Sequence, residues 1–191
     1  MALGFYFDMT SCFGCRTCQV ACKDKNDLEI GAIFRNVVCR EVGSFPTPDA
    51  FHFSATCNHC ENPMCVANCP TGAMYKTEEG PVLHDDEMCI GCGTCVQSCP
   101  YQVPKLLESK NIAGKCDTCI GLRENGNNPA CVDACVMRAI EFGEIEDLKK
   151  AHPDAVSISE LPFMPGDETK PTTLVSVKEI AYDEKAEVKN I

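Results

Sequence analysis

The sequence contains no tryptophan, only four histidines and no long apolar run. Because it lacks a stretch of about 18 apolar residues, we expect no direct membrane span. No histidine is placed for haem or Rieske ligation, and neither a dinucleotide fingerprint nor a P-loop occurs. The usual machinery of a redox or nucleotide-dependent enzyme is therefore missing, and we expect no catalytic residues in this chain.

Basic residues are also few. The chain has 17 Lys and Arg against 28 Asp and Glu, a formal charge of -11. Nucleic acid and anionic lipid attract basic patches, so we expect neither as a partner. The opening residues "MALGFYFDMTSC" contain no basic region, no twin arginine and no apolar run. We therefore expect that the chain carries no export signal of its own.

Cysteine is the residue in excess, with 17 in 191 positions. An odd number cannot all form disulfides within one chain, and disulfide frameworks belong to short secreted domains. Sixteen of the cysteines fall into four groups of four, and Cys39 remains outside them. The groups are Cys12, Cys15, Cys18 and Cys22; Cys57, Cys60, Cys65 and Cys69; Cys89, Cys92, Cys95 and Cys99; and Cys116, Cys119, Cys131 and Cys135.

The spacing within these groups is typical of iron-sulfur clusters. The first group, "CFGCRTCQVAC", has the pattern C-x2-C-x2-C-x3-C, and the second and third end in C-x3-C-P, as in bacterial two-cluster ferredoxins. In those proteins the last cysteine of a group ligates the other cluster. Zinc is the alternative, and the fourth group alone would fit a zinc ribbon. A third cysteine only three positions after a C-x2-C pair is surplus for zinc, which favours iron and sulfide.

The elements around the groups predict an α+β fold. The segments "GFYFD" and "FHFSA" indicate short strands, residues 18–23 and 95–98 indicate short helices, and "AMYK" and "PVLH" around "TEEG" indicate a hairpin. This order predicts two nested ferredoxin-like units, with an inner unit at residues 51–105 and an outer unit formed by residues 1–50 and 106–150. The first group should then pair with the fourth, and the second with the third.

The last part of the chain differs in composition. Residues 151–191 contain no cysteine, include the proline-rich "ELPFMPGDETKPTT", and end in a charged stretch. We interpret this part as an extended C-terminal arm that docks a partner.

Four cations near the cysteines, Arg16, Lys23, Lys115 and Arg138, could raise cluster potentials, although such side chains are more often solvated. We interpret His59 as a hydrogen-bond donor near a cluster or as an exposed residue. Cys39, in "NVVCREV", is interpreted as a small buried hydrophobe.

Taken together, the stretches "GFYFDMTSCFGCRTCQVACKDKNDL", "CNHCENPMCVANCPTGAMYK", "CIGCGTCVQSCPY" and "KCDTCIGLRENGNNPACVDACVMRAIEFGEIEDLK" resemble the four-cluster iron-sulfur subunit of molybdopterin oxidoreductases, of the dimethyl sulfoxide reductase B-chain type. The resemblance covers about residues 4 to 150. It departs from the family pattern at Val136, where proline often follows the last ligand.

The resemblance implies four 4Fe-4S clusters and a ligand set for each. Cluster 1 would be held by Cys12, Cys15, Cys18 and Cys135, and cluster 2 by Cys22, Cys116, Cys119 and Cys131. Cluster 3 would be held by Cys57, Cys60, Cys65 and Cys99, and cluster 4 by Cys69, Cys89, Cys92 and Cys95. Relatives of the nitrate reductase type carry a tryptophan and a three-iron cluster in the group that contains Cys92, so the cysteine here implies a fourth cubane.

The resemblance also implies a function and partners. The chain would relay electrons between a quinol-oxidising membrane-anchor subunit or another donor and a molybdopterin catalytic subunit, which reduces S-oxides or N-oxides or acts as a related reductase or dehydroxylase. It would be membrane-associated through its partners, on the extracytoplasmic face, after co-export with a partner that has a twin-arginine signal. The alternatives are the electron-input chain of a soluble cytoplasmic reductase and a free-standing polyferredoxin.

The metal content tests the iron-sulfur interpretation. Anaerobically purified protein should contain about 16 iron and as much sulfide per chain, since each of four cubanes holds about four of each. Metal analysis of the purified protein measures this directly. Stoichiometric zinc in place of iron would refute the interpretation.

Overall fold

The structure, a computed structural model, describes residues 2–183 and 185–189. The helices are α1 (Thr17–Lys25), α2 (Met64–Ala67), α3 (Thr94–Ser98), α4 (Ile120–Arg123), α5 (Ala130–Asp133) and α6 (Ile145–Ala151). The strands are β1 (Leu3–Asp8), β2 (Asn36–Val42), β3 (Asp49–Ala55), β4 (Met74–Lys76), β5 (Val82–His84), β6 (Lys105–Leu107), β7 (Ile112–Gly114), β8 (Ile140–Glu144), β9 (Val156–Ser157), β10 (Leu174–Ser176) and β11 (Glu187–Lys189). Short 3-10 helices lie at Ile158–Glu160, Asp167–Thr169 and Glu179–Tyr182.

The strands form two small sheets and two hairpins. The larger sheet has the order β8-β1-β10-β9, in which β1 is antiparallel to β8 and parallel to β10. The second sheet has the order β11-β2-β3 and is antiparallel. The pairs β4-β5 and β6-β7 are separate hairpins. The α+β class expected from the sequence is confirmed.

The strand β1 separates two apolar regions because its side chains alternate between the faces of the sheet. Phe5 and Phe7 face the main core, which also contains six of the grouped cysteines. Tyr6 points to the opposite face, where it packs with Ile145 and Leu148 of α6. The aromatic content that indicated a strand is thus buried on both faces.

The other predicted elements are found as well. The helix expected at residues 18–23 is α1, the one expected at 95–98 is α3, and "FHFSA" lies in β3. The predicted hairpin is β4-β5, in which Met74 pairs with His84. Its turn contains Gly80 at φ 103, a conformation that favours glycine.

The C-terminal segment differs from the expected arm because it is packed into the body. Its strand β10 lies inside the larger sheet, where Val175 is fully buried. Residues 169–172 also form backbone hydrogen bonds with the loop of the second cysteine group, among them Glu61 N to Lys170 O at 2.8 Å and Thr172 N to Asn58 O at 3.1 Å. The segment is extended, but it completes the sheet and supports that loop. Its predicted docking role stays a prediction, and residues 184, 190 and 191 lie outside the described residues.

Among the helices of the described residues, none combines the length and the apolar character that a bilayer span requires.

Candidate metal centres

Three cavities of the protein are each lined by four cysteines that come from two different groups. The first is lined by Cys12, Cys15, Cys18 and Cys135; the second by Cys57, Cys60, Cys65 and Cys99; and the third by Cys69, Cys89, Cys92 and Cys95. Each cavity thus combines three cysteines of one group with one cysteine of another.

The remaining grouped cysteines, Cys22, Cys116, Cys119 and Cys131, are all buried. Burial raises the pKa of the Cys22 thiol to about 12, and the charges of Cys131 and Cys119 add to this effect. Burial likewise raises the pKa of Cys116, with contributions from Cys57, Cys131 and Cys22. These mutual effects require the thiols of the first and fourth groups to lie near one another.

Helix geometry explains why neighbours in sequence serve different sites. Cys18 and Cys22 are about one turn apart on α1, so both point to the same side but are separated by about 6 Å along the helix axis. The helix α1 packs against α5, which carries Cys131 four positions before Cys135. The helices α2 and α3 pack together in the same way. Each helix pair therefore stands between two thiol sites.

The backbone of all four C-x2-C loops has one feature in common. The residue just before the second cysteine has a positive φ in each loop: Gly14 at 76°, His59 at 44°, Gly91 at 67° and Thr118 at 58°. Such turns expose backbone N–H groups to anionic ligands. Two of the four positions are not glycine, so the sequence alone does not reveal this repeat.

Several backbone N–H groups donate hydrogen bonds to cysteine sulfurs. Ala139 N lies 3.2 Å from Cys135 Sγ, and Ala113 N lies 3.4 Å from Cys89 Sγ. Hydrogen bonds to sulfur withdraw electron density from a thiolate and raise the reduction potential of a cluster that it ligates. The local backbone thus favours anionic sulfur at these sites.

Burial decides the protonation of most of these thiols. It raises the pKa of Cys12 and Cys60 to about 11 and the pKa of Cys65 to about 12. Without a cation these thiols keep their protons at neutral pH, so a thiolate there needs a metal to offset its charge. Four sulfur donors around one cavity fit an iron-sulfur cluster, because cysteine thiolates are the usual ligands of such clusters.

Cys15 and Cys92 differ because both are exposed. A hydrogen bond from the Thr17 hydroxyl lowers the pKa of Cys15, and the Thr94 hydroxyl does the same for Cys92. The first and third cavities therefore each have one thiol at the protein surface.

Cys39 lies outside all four sets. It is buried in β2, as predicted, and its residue pairs with His52 of β3.

His59 is buried, so the expectation that it is exposed is wrong. Its Nδ1 accepts a hydrogen bond from Val82 N at 3.0 Å, which leaves the proton of the neutral ring on Nε2. Burial holds the pKa of His59 well below its usual value. Its role as a donor near a cluster stays a prediction.

The cations selected from the sequence lie in different environments. Lys115 is buried and lines the second cavity, whereas Arg138 is exposed and Lys23 donates to the backbone oxygens of Glu29 and Ala32. Sequence reasoning missed Arg35, which is only 2% exposed. It lies 13 positions after Cys22 and belongs to no motif, so only the folded chain reveals it.

The sequence matches the family described as 4Fe-4S dicluster domain over residues 48–145. Over 167 residues it is 40% identical to the B subunit of anaerobic dimethyl sulfoxide reductase of Escherichia coli K12, covering 83% of this chain and 82% of that subunit. The corresponding B subunit of Haemophilus influenzae is 39% identical over 187 residues, covering 93% and 90%. The thiosulfate reductase electron transfer subunit of Salmonella typhi is 40% identical over 145 residues, covering 73% and 74%.

The thiol-lined cavities and the family match define the class as a 4Fe-4S dicluster protein. Within this class, the protein is a member of the family of the anaerobic dimethyl sulfoxide reductase B subunits. The family resemblance recognised in the sequence is confirmed.

The tight loop at Gly91 provides a test of the third cavity. A Cβ at this position would lie 2.4 Å from the backbone oxygen of Asn111, at a φ of 67° that an L side chain rarely adopts. Gly91→Ala should therefore distort the loop between Cys89 and Cys92 and lower the iron content by about four atoms per chain. Metal analysis of the purified variant measures the loss.

The matched control is Gly121→Ala, because Gly121 lies in α4 and nothing is within 4 Å of its added Cβ. This variant should keep its full iron content. An undiminished iron content in Gly91→Ala would contradict the close contact between the Cys89–Cys92 loop and the backbone oxygen of Asn111.

Proposed function

We propose that the protein is the electron-transfer subunit of a molybdopterin reductase complex and that it carries four 4Fe-4S clusters. It is not the catalytic subunit. The observation that carries the proposal is the repeated site: four thiols around a cavity, drawn from two groups, occur three times. The thiosulfate reductase relative is itself named an electron transfer subunit, which supports the same role here. Each bound cluster would supply one-electron redox chemistry.

The proposed ligands of cluster 1 are Cys12, Cys15, Cys18 and Cys135, and those of cluster 2 are Cys22, Cys116, Cys119 and Cys131. Cluster 3 is assigned to Cys57, Cys60, Cys65 and Cys99, and cluster 4 to Cys69, Cys89, Cys92 and Cys95. Three cavity linings and the mutual charge effects among the remaining thiols support this assignment. It corresponds to an outer unit of residues 1–50 and 106–150 around an inner unit of residues 51–105.

The contacts between sites support a single row of clusters. Cys18 and Cys22, both on α1, connect the first two sites, and Cys65 on α2 and Cys69, two residues after that helix ends, connect the last two. At the middle junction, Cys57 is the thiol with the largest charge effect on Cys116. Electrons can then pass in the order 1, 2, 3, 4 or in reverse.

Both ends of this row have apolar side chains at the surface. Phe13 and Met137 line the first cavity and are about half exposed, while Ile90 lines the third cavity and is 63% exposed. Exposed apolar patches mark contact surfaces with other proteins. The ends therefore suit the docking of two partners, namely a molybdopterin catalytic subunit and a quinol-oxidising membrane-anchor subunit or another donor.

This arrangement agrees with a complex attached to the membrane through a partner. The proposed location is the extracytoplasmic face, reached by co-export with a partner that has a twin-arginine signal. A cytoplasmic reductase with the same two docking ends is the alternative.

Purification of the native complex tests the function. The tagged protein, isolated anaerobically from its source organism, should coelute with a molybdenum-containing subunit, because the apolar side chains exposed at the ends of the cluster row favour contact with partner subunits. Molybdenum analysis and mass spectrometry identify the partners. A protein that elutes alone with all of its iron would instead be a free-standing polyferredoxin, and a complex without any membrane subunit would support the cytoplasmic alternative.

Cysteine variants test the assignment of ligands. Cys12→Ser and Cys135→Ser should alter the same cluster signal in electron paramagnetic resonance of the reduced complex, although the residues are far apart in sequence. Cys22→Ser should alter a different signal, although it belongs to the same group as Cys12.

The control is Cys39→Ser, which should leave iron content and every signal unchanged. If Cys12→Ser and Cys22→Ser affected one common signal and Cys135→Ser another, each group would close its own cluster and the interleaved assignment would be wrong.

A further inference from the structure

Arg35 is a buried cation at the junction of the first and fourth cysteine groups. It precedes β2, and its side chain is only 2% exposed. One terminal nitrogen, Nη1, donates to Ser54 O at 3.2 Å and to Ser54 Oγ at 3.1 Å. The guanidinium also lies over the ring of Phe5, 4.9 Å from its centroid. Its position is therefore fixed on two sides.

The rest of the guanidinium has no protein partner. Within residues 2–183 and 185–189, the buried Nε and Nη2 atoms of Arg35 donate no hydrogen bond, and the residue takes part in no ion pair with a carboxylate. A buried and unpaired charge is costly unless an anion compensates it. An arginine in this position therefore calls for a negative group nearby.

The nearby groups that become anionic when they ligate a cluster are cysteine sulfurs. Burial alone would lower the pKa of Arg35, but the attraction of the thiolates outweighs it and holds the pKa above its usual value; the thiolates are those of Cys131, Cys116, Cys18 and Cys22. Three of them belong to the proposed site of cluster 2, and Cys18 belongs to that of cluster 1. Ser54 connects Arg35 to the site of cluster 1, since the Ser54 hydroxyl accepts from Arg35 and lies 3.5 Å from Cys18 Sγ.

We propose that Arg35 raises the reduction potentials of the outer cluster pair by holding a fixed positive charge beside the two sites. This inference rests on the proposed four-cluster function. Uptake of one electron makes a site more negative by one unit without breaking a bond or moving a proton. A fixed cation stabilises that reduced state more than the oxidised one, and the effect is strong where water is excluded.

Redox titration of the purified holo complex, followed by electron paramagnetic resonance, tests the proposal. At the potential where an outer cluster is half reduced in the unmodified complex, Arg35→Gln should raise its ratio of oxidised to reduced form about tenfold, which is about 59 mV for a one-electron couple. The inner pair should not shift. Arg35→Lys keeps the charge and should change the ratio by less than about threefold.

Arg40→Gln is the matched control. Arg40 lies in β2, donates to Ala186 O at 3.1 Å and covers the ring of Phe163 at 4.5 Å, so it contacts backbone and an aromatic ring instead of thiols. Its substitution should leave all four potentials unchanged. Outer potentials that stay constant in Arg35→Gln, or four potentials that shift equally, would overturn the proposal.

Iron analysis separates loss of fold from loss of charge. If Arg35→Gln loses the outer clusters while Arg35→Lys keeps them, the charge is needed to retain the anionic groups, which supports the proposal. If both variants lose them, or if Arg35→Lys shifts the potentials as much as Arg35→Gln, the charge is not what matters and the proposal fails. An unmodified complex without four clusters would refute the proposed function instead.

Discussion

The packing of α1 against α5 brings thiols from the two ends of the cysteine-containing region to one place, and most of the outer half of the molecule depends on it. Cys18 and Cys22 on α1 lie near Cys131 and Cys135 of the fourth group, so that the first cavity combines thiols of both groups. The same relation between α2 and α3 is repeated in the inner half. Helix packing and metal binding stabilise one another here, since each needs the other to hold thiols in the interior.

Much of this arrangement can be predicted from the sequence because iron-sulfur ligation imposes short and regular spacings. The four groups, the helices α1 and α3, the strand β1 and the hairpin β4-β5 follow from cysteine spacing, aromatic content and a glycine in a turn. These signals lie within short stretches of sequence, and the elements that they predict depend mainly on the conformation of those stretches. The isolation of Cys39 could also be predicted, since the other sixteen cysteines form complete groups.

The remaining features depend on contacts between distant residues. Nothing in "FRNVV" indicates that Arg35 is buried among thiols, because those thiols come from both ends of the outer unit. The left-handed backbone at His59 and Thr118 is imposed by the loops, since the residue types do not favour it. The composition of residues 151–191 resembles that of a free arm, yet β10 lies inside a sheet, because a short apolar stretch such as "TLVSV" is stabilised by its neighbours.

The position of β10 has a consequence for biosynthesis. The strand β1 lies between β8 and β10, so it receives both of its neighbours only when residues 140–144 and 174–176 have been synthesised. Until then, the thiols of Cys12, Cys15 and Cys18 have no fixed surroundings and remain open to oxidants and competing metals. The inner cavities also need later residues, because one is lined by Thr169 and the other by Ala113, although all of their cysteines precede residue 100. Completion of the first two cavities during synthesis therefore depends on residues well beyond the last cysteine, Cys135, because β10 flanks β1 and Thr169 lines the second cavity.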